Sequence, residues 1–185
     1  INFIKMIFLK LNALSLLLVG FFISSIYNYA VPKIEGANQS LSSYQGRKIM
    51  VITLPIIQNV SSDSLLYSLD TLGAAHQVDL AIIAVPSYED GFTVAKKSQL
   101  KQWYRSKLGN YITVTDGLYT YKSSGSQQHE LFAWLTKVSM NGIFDMDTEG
   151  PGSKFFVNAN GELYSVMPPA VRVSSKTVNR IINAQ

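Results

Sequence analysis

The clearest periodic features of the chain are two apolar runs of strand length, Ile49–Leu54 and Val78–Val85, each closed by a proline, Pro55 and Pro86. Runs without polar alternation suit strands covered on both faces, as in a sheet flanked by helices. After the first run comes a polar loop, and then Leu65, Leu66, Leu69 and Leu72 recur at helical spacing. Ser61, Ser62 or Asp63 can cap that helix and Gly73 can end it. Leu100, Trp103, Tyr104 and Leu108 mark a second helix over Ser98–Leu108, ended by Gly109-Asn110, and Tyr111–Thr115 is a short strand candidate. A polar loop over Ser123–Gln128 follows, then Leu131, Trp134, Leu135 and Val138 at i, i+3, i+4 and i+7, a helix signature. Ser153–Asn158 and Glu162–Met167 flank Asn160-Gly161, a specific hairpin signal. After Pro168-Pro169, Ser174 or Ser175 can cap a last helix carrying Val178, Ile181 and Ile182. Asn38–Lys48 reads as a small strand or turn. The order predicts an α/β domain, a mixed sheet with helices on both faces.

The N-terminus follows a different pattern. Lys5 and Lys10 precede an uncharged stretch, Leu11–Val31, that is long enough to cross a bilayer core. A secretory signal peptide also has a basic start and an apolar middle, but its apolar run is shorter and its cleavage site wants small residues, whereas the site here is Asn28-Tyr29-Ala30. An uncleaved anchor over residues 1–31 is therefore expected, with 32–36 as a linker and 37–185 as the folded domain. The lysines place the N-terminus in the cytoplasm and the domain on the far side of the membrane, periplasmic in a bacterium. Tyr27 and Tyr29 would sit at the outer interface. Ser15, Gly20, Ser24 and Ser25 are small enough to allow close contact with helices of other integral membrane subunits, or are merely tolerated there.

Composition narrows the chemistry. The net charge is +4, and without Lys5 and Lys10 the basic residues fall from 16 to 14 against 12 acids. That balance is too mild for a nucleic-acid partner. The absence of cysteine excludes disulfides, thiolate metal sites and thiol catalysis. Ser61, Ser62 and Ser64 with His76 and Asp79 would need mutual hydrogen-bond reach to form a triad, and the serines read better as caps. His76 and Asp79 as metal ligands, and Glu89-Asp90 as a functional pair, are outweighed by the ordinary reading of solvated surface groups. No metal, cofactor or small-molecule substrate is predicted. Gly150-Pro151-Gly152 reads as a tight turn whose proline bond is a candidate for cis.

From about Gly36 to Ile182 the chain resembles the glutathione peroxidase family of the thioredoxin-like fold. The resemblance is carried by Ser40–Lys48 before the first core strand, by Ala84-Val85-Pro86-Ser87, by Leu131–Thr136, and by Lys154–Tyr164 as the final hairpin. It implies a thioredoxin-like mixed sheet flanked by helices. For activity it implies the opposite of a match. The family's reactive Cys or selenocysteine would fall within Gln58, Asn59, Val60 and Ser61; its Gln falls near Tyr88 and Glu89; its Trp-Asn pair falls at Gly150 and Pro151. None of those residue types is present, and a serine hydroxyl cannot cycle through peroxide reduction as a thiolate does.

Three functions from different classes follow. The first is a membrane-anchored, inactive domain serving as an accessory or scaffold subunit of a membrane complex. The second is a peptide-binding or chaperone-like module. The third is an enzyme with cysteine-independent chemistry, which would need a pocket of strongly perturbed ionisable groups.

Overall fold

The structure is a computed structural model that describes residues 24–184. The described residues form seven strands and five α-helices. They are β1 (Ala30–Pro32), β2 (Asn38–Ser40), β3 (Lys48–Leu54), α1 (Val60–Ala75), β4 (Leu80–Pro86), α2 (Lys97–Lys107), β5 (Ile112–Val114), α3 (Glu130–Thr136), α4 (Val138–Asn141), β6 (Lys154–Val157), β7 (Leu163–Met167) and α5 (Lys176–Asn183). The central sheet runs β5-β4-β3-β6-β7. β3, β4 and β5 are parallel, while β6 and β7 are antiparallel to their neighbours. The expected mixed sheet is therefore present, with the Asn160-Gly161 turn joining β6 to β7 and Gly161 at φ 85°.

Both faces of the sheet are dry. Met50, Ile52 and Leu54 of β3 and Ile82 and Ala84 of β4 point to one core, with Leu66, Leu69, Trp103, Tyr104, Val178 and Ile182 from α1, α2 and α5. Ile49, Val51, Ala81, Ile83 and Val85 point to the other, with Phe132, Trp134 and Leu135 of α3. The two-residue period of a strand divides one apolar run between two cores, which is why neither run alternates with polar residues.

Several element ends differ from the sequence expectation. α1 begins at Val60, capped by Asn59 rather than by a serine: the Asn59 side chain accepts from the Ser62 amide at 2.9 Å. Gly73 does not end α1 but lies buried within it, where a Cβ would come within 3.0 Å of the Tyr111 ring and 3.1 Å of Ile112. Val78 lies outside β4 and is 88% exposed. Lys137 is extended, so α3 stops at Thr136 and Val138 opens a separate turn. The Ser123–Gln128 loop is a 3-10 segment, Lys122–Gln127. Ser175 caps α5 as expected, accepting from the Val178 amide at 3.2 Å.

The largest correction concerns the expected membrane span. Its last part, Ser24–Val31, is not helix across a bilayer but part of the domain: a 3-10 turn over Ile26–Asn28 and then β1. Ile26 and Val31 are fully buried. Tyr29 packs on Trp134 with ring centroids 6.0 Å apart, and the Tyr27 hydroxyl donates to the Ala159 carbonyl at 2.9 Å, so both tyrosines are tied to the domain. Ser24 and Ser25 are not helix-packing residues either. The Ser24 hydroxyl bonds that of Tyr29 and Ser25 caps the 3-10 turn. The stretch expected as a linker is the turn of the β1–β2 hairpin, whose Lys33 bridges Thr115 and whose Ile34 amide donates to Val114 at 3.0 Å, covering the outer edge of β5. Ser15, Gly20 and the rest of the span lie outside the described residues. Among the described residues no helix is long and apolar enough to cross a membrane.

Candidate functional site

In this fold the chemistry-bearing positions cluster beyond the carboxyl ends of the central parallel strands. Three segments meet there. The first is the β3–α1 junction. Its Gln58, Asn59, Val60 and Ser61 are all exposed, Val60 to 87% and the neighbouring Ile57 to 71%. What fixes the junction is capping and helix contact. Asn59 closes α1, the Ser62 hydroxyl donates to the Ile57 carbonyl at 2.7 Å, and the Tyr104 hydroxyl donates to Pro55 at 2.8 Å. Asp63 receives the Trp103 indole N–H at 2.9 Å and Lys107 at 3.1 Å. No base reaches the serines: His76 pairs with Asp79 at 3.3 Å beyond the C-terminal end of α1. The 16 residues of α1 put about 24 Å between its ends, so the triad cannot assemble.

The second segment follows β4. Tyr88 stacks on Tyr119 at 4.7 Å and meets Phe92 edge-on at 5.2 Å. Glu89 is exposed, as expected of a surface charge, but it is also the hub of the region's hydrogen bonds. Its carboxylate accepts from the Thr120 amide at 3.0 Å, the Tyr121 amide at 3.1 Å, the Ser87 hydroxyl and the Ser124 hydroxyl. Burial opposes its ionisation, but the bonds from Ser124, Ser87 and Thr120 outweigh that and hold its carboxyl below the ordinary range. Asp90 differs from Glu89 in this respect: burial, with Glu89 nearby, raises its pKa despite a 3.0 Å bond from the Tyr121 hydroxyl. The other Asp90 oxygen is buried without a partner.

The third segment is the turn before β6. The Thr53 hydroxyl donates to Gly150 at 2.6 Å and accepts from the Ser153 amide at 3.0 Å, tying the turn to the end of β3. A methyl group on Gly150 would lie 3.6 Å from the Tyr121 hydroxyl and 4.0 Å from Asp90, so this turn also abuts the second segment. The Gly150-Pro151 bond is trans, as is every peptide among the described residues, against the expectation of cis. Gly150 at φ 102° and Gly152 at φ 94° make the turn, so the reversal needs no cis proline.

A cleft of about 490 Å³ opens between the first and third segments, lined in part by Val60, Ser61, Leu65, Pro151, Gly152 and Val171. It brings Val60, Ser61 and Pro151 together and leaves Tyr88 and Glu89 outside. Under its floor lies Lys154, 1% exposed, whose amine donates to the carbonyls of Gly152 and, at 3.2 Å, Pro168. Burial pushes its pKa down to about 8. Lys154 carried no local sequence signal of burial, and Asp90 was visible only as half of an acidic pair with Glu89; the fold buries the lysine and one oxygen of the aspartate. Among the described residues no group of three His, Cys, Asp or Glu side chains is placed to hold a metal ion.

The fold and site define a class: a thioredoxin-like domain with a complete scaffold and no sulfur nucleophile. No protein-family model matches the chain, and no curated protein matches it significantly. Solved structures do match. The apo form of Trgpx aligns with a TM-score of 0.62 at 16% identity, over 85% of this chain and 95% of that one. GPX1 of T. cruzi aligns with a TM-score of 0.58 at 14% identity, over 86% and 97%. BsSco, a member of the Sco family of cytochrome c oxidase assembly proteins, aligns with a TM-score of 0.54 at 15% identity, over 86% and 88%. The structural neighbours are thus glutathione peroxidase-like and thioredoxin-like proteins. At these identities the likeness carries the fold and nothing finer.

Proposed function

We propose that this chain is a catalytically inactive, glutathione peroxidase-like domain that serves as an accessory or scaffold subunit beside a membrane. One observation carries the reading: where a peroxidase of this fold needs a thiolate, the junction holds a helix cap, Asn59, and the chain contains no cysteine. Glu89 fits it, since its carboxylate accepts loop-ordering bonds from the Thr120 and Tyr121 amides. That a Sco-family assembly protein shares the fold supports a role in building or holding a complex. The partners are other integral membrane subunits and the lipid bilayer, with the domain on the extracytoplasmic side.

Attachment falls to the segment before Ser24. Its uncharged run is Leu11–Ile23, and Met6–Leu9 with a snorkelling Lys10 extends it to about 18 residues, the short end of the spanning range. The expected result is no peroxide consumption above background with a thiol reductant, together with co-purification of other membrane subunits in mild detergent. Peroxidase activity lost on changing a residue of Gln58–Ser62 would overturn the inactive reading. A chain that purifies alone as a monomer would overturn the subunit reading.

A second reading, a peptide-binding module, is favoured by the cleft beside Val60 and Pro151, whose walls mix apolar and hydroxyl side chains. Protection of Val60 and Leu65 NMR signals by an added peptide library would support it.

A further inference from the structure

We propose that Val138, Ile143 and Met146 form the face on which this domain lies against a lipid bilayer. They are exposed to 45%, 53% and 37%. Isolated apolar residues on a surface need no explanation, but these three share one corner and that corner is built. Asn141, 1% exposed, accepts from the Ile143 and Phe144 amides at 2.8 Å each and donates to the carbonyls of Trp134 at 2.8 Å and Phe144 at 2.9 Å. Gly142, at φ 79°, turns the chain there. Met140 and Phe144 pack inward while Ile143 stays outside, so a buried polar residue holds an apolar one in water. Asp145, between Ile143 and Met146 and 63% exposed, accepts from the Val138 amide at 3.4 Å and pairs with Lys122 at 2.9 Å, so the rim carries one ion pair beside its apolar residues.

The position of the corner identifies the occupant. The apolar segment before Ser24 leaves the domain beside it. The Trp134 indole donates to the Ser24 carbonyl at 2.6 Å, and the Trp134 carbonyl is the one Asn141 holds. Ile26 is buried two residues after Ser24, so the chain is held to the domain from the start of the described residues. A membrane that takes up the segment therefore meets the domain at the α3–α4 corner, where an apolar rim can enter the interfacial layer. The inference rests on the proposed membrane attachment and adds the surface that faces the lipid.

The missing cysteines allow a direct test. Full-length Ile143→Cys and Tyr67→Cys are each labelled with bimane and reconstituted into phosphatidylcholine vesicles, with and without brominated acyl chains. Tyr67 is 73% exposed on α1, across the sheet from α3. The label at 143 is expected to lose about half its emission in brominated vesicles, as for a group at the headgroup–acyl boundary, and the label at 67 none. A chain that floats with vesicles while the label at 143 stays unquenched overturns this proposal and leaves the attachment reading standing. A chain that does not float overturns both. Equal quenching at 67 and 143, or shielding of 143 only when a co-purified subunit is present, also overturns it, the latter in favour of a protein partner.

Discussion

The ends of β3 and β4 lie side by side, yet the loops that leave them are ordered in different ways. After β3, residues 57–61 stand in solvent and are held by a cap and by contacts of the helix that follows. After β4, the carboxylate of Glu89 organises a second loop some thirty residues away through two backbone amides and two hydroxyls. The first loop is where a redox protein of this fold does its chemistry, and here it carries little of the site's structure. The second has become the site's polar core. In this domain the order of the site comes from the loop that carries Glu89 and not from the β3–α1 junction.

Substitutions can break that contrast. Glu89→Ala leaves four donors without their acceptor and is expected to cost about 2 kcal/mol in urea unfolding. Asn59→Ala removes one cap and is expected to cost about 1 kcal/mol. If the two costs were equal, the division of labour between the loops would not exist. Ile57→Ser, in solvent, should stay within about 0.5 kcal/mol of the parent.

Titration sharpens the same contrast. The folded pKa of Glu89 is depressed, so its contribution is present above the ordinary carboxylate value of 4.5 and is lost as pH falls through the lower folded value. The stability gap between the parent and Glu89→Gln should accordingly close in acid. Lys154 has the opposite sign. Its folded pKa, about 8, lies below the ordinary 10.5, so between those values the unfolded chain binds more protons and stability rises with pH. Lys154→Met should lose that rise, read as a flatter unfolding midpoint between pH 8 and 10 relative to the parent.

Much of the fold was legible because it follows from periodicity. Two uninterrupted runs became β3 and β4, the leucine stripe became α1, and Asn-Gly became the β6–β7 turn. Ser24–Val31 misled because an apolar run has the same composition whether lipid or a protein core covers it. Tyr29 against Trp134 is a contact across more than a hundred residues, which no local window contains. Gly73 misled for a related reason, its size being set by Tyr111 and Ile112 and not by its own helix. At the site, the missing thiol was plain from composition. The role of Glu89 was not, since its partners at Thr120, Tyr121 and Ser124 become neighbours only once β4 and the following loop are in place.

The β1–β2 hairpin, lying along β5, has a consequence for assembly. With Lys33 and Ile34 covering that border, β7 is the margin of the five-stranded sheet left without a strand neighbour among the described residues. Two copies joining through β7 would cover each other's margins and close as a symmetric pair, and a third would find no row of amides to extend. Addition of a strand to this sheet is thereby confined to β7, because the β5 border is already occupied.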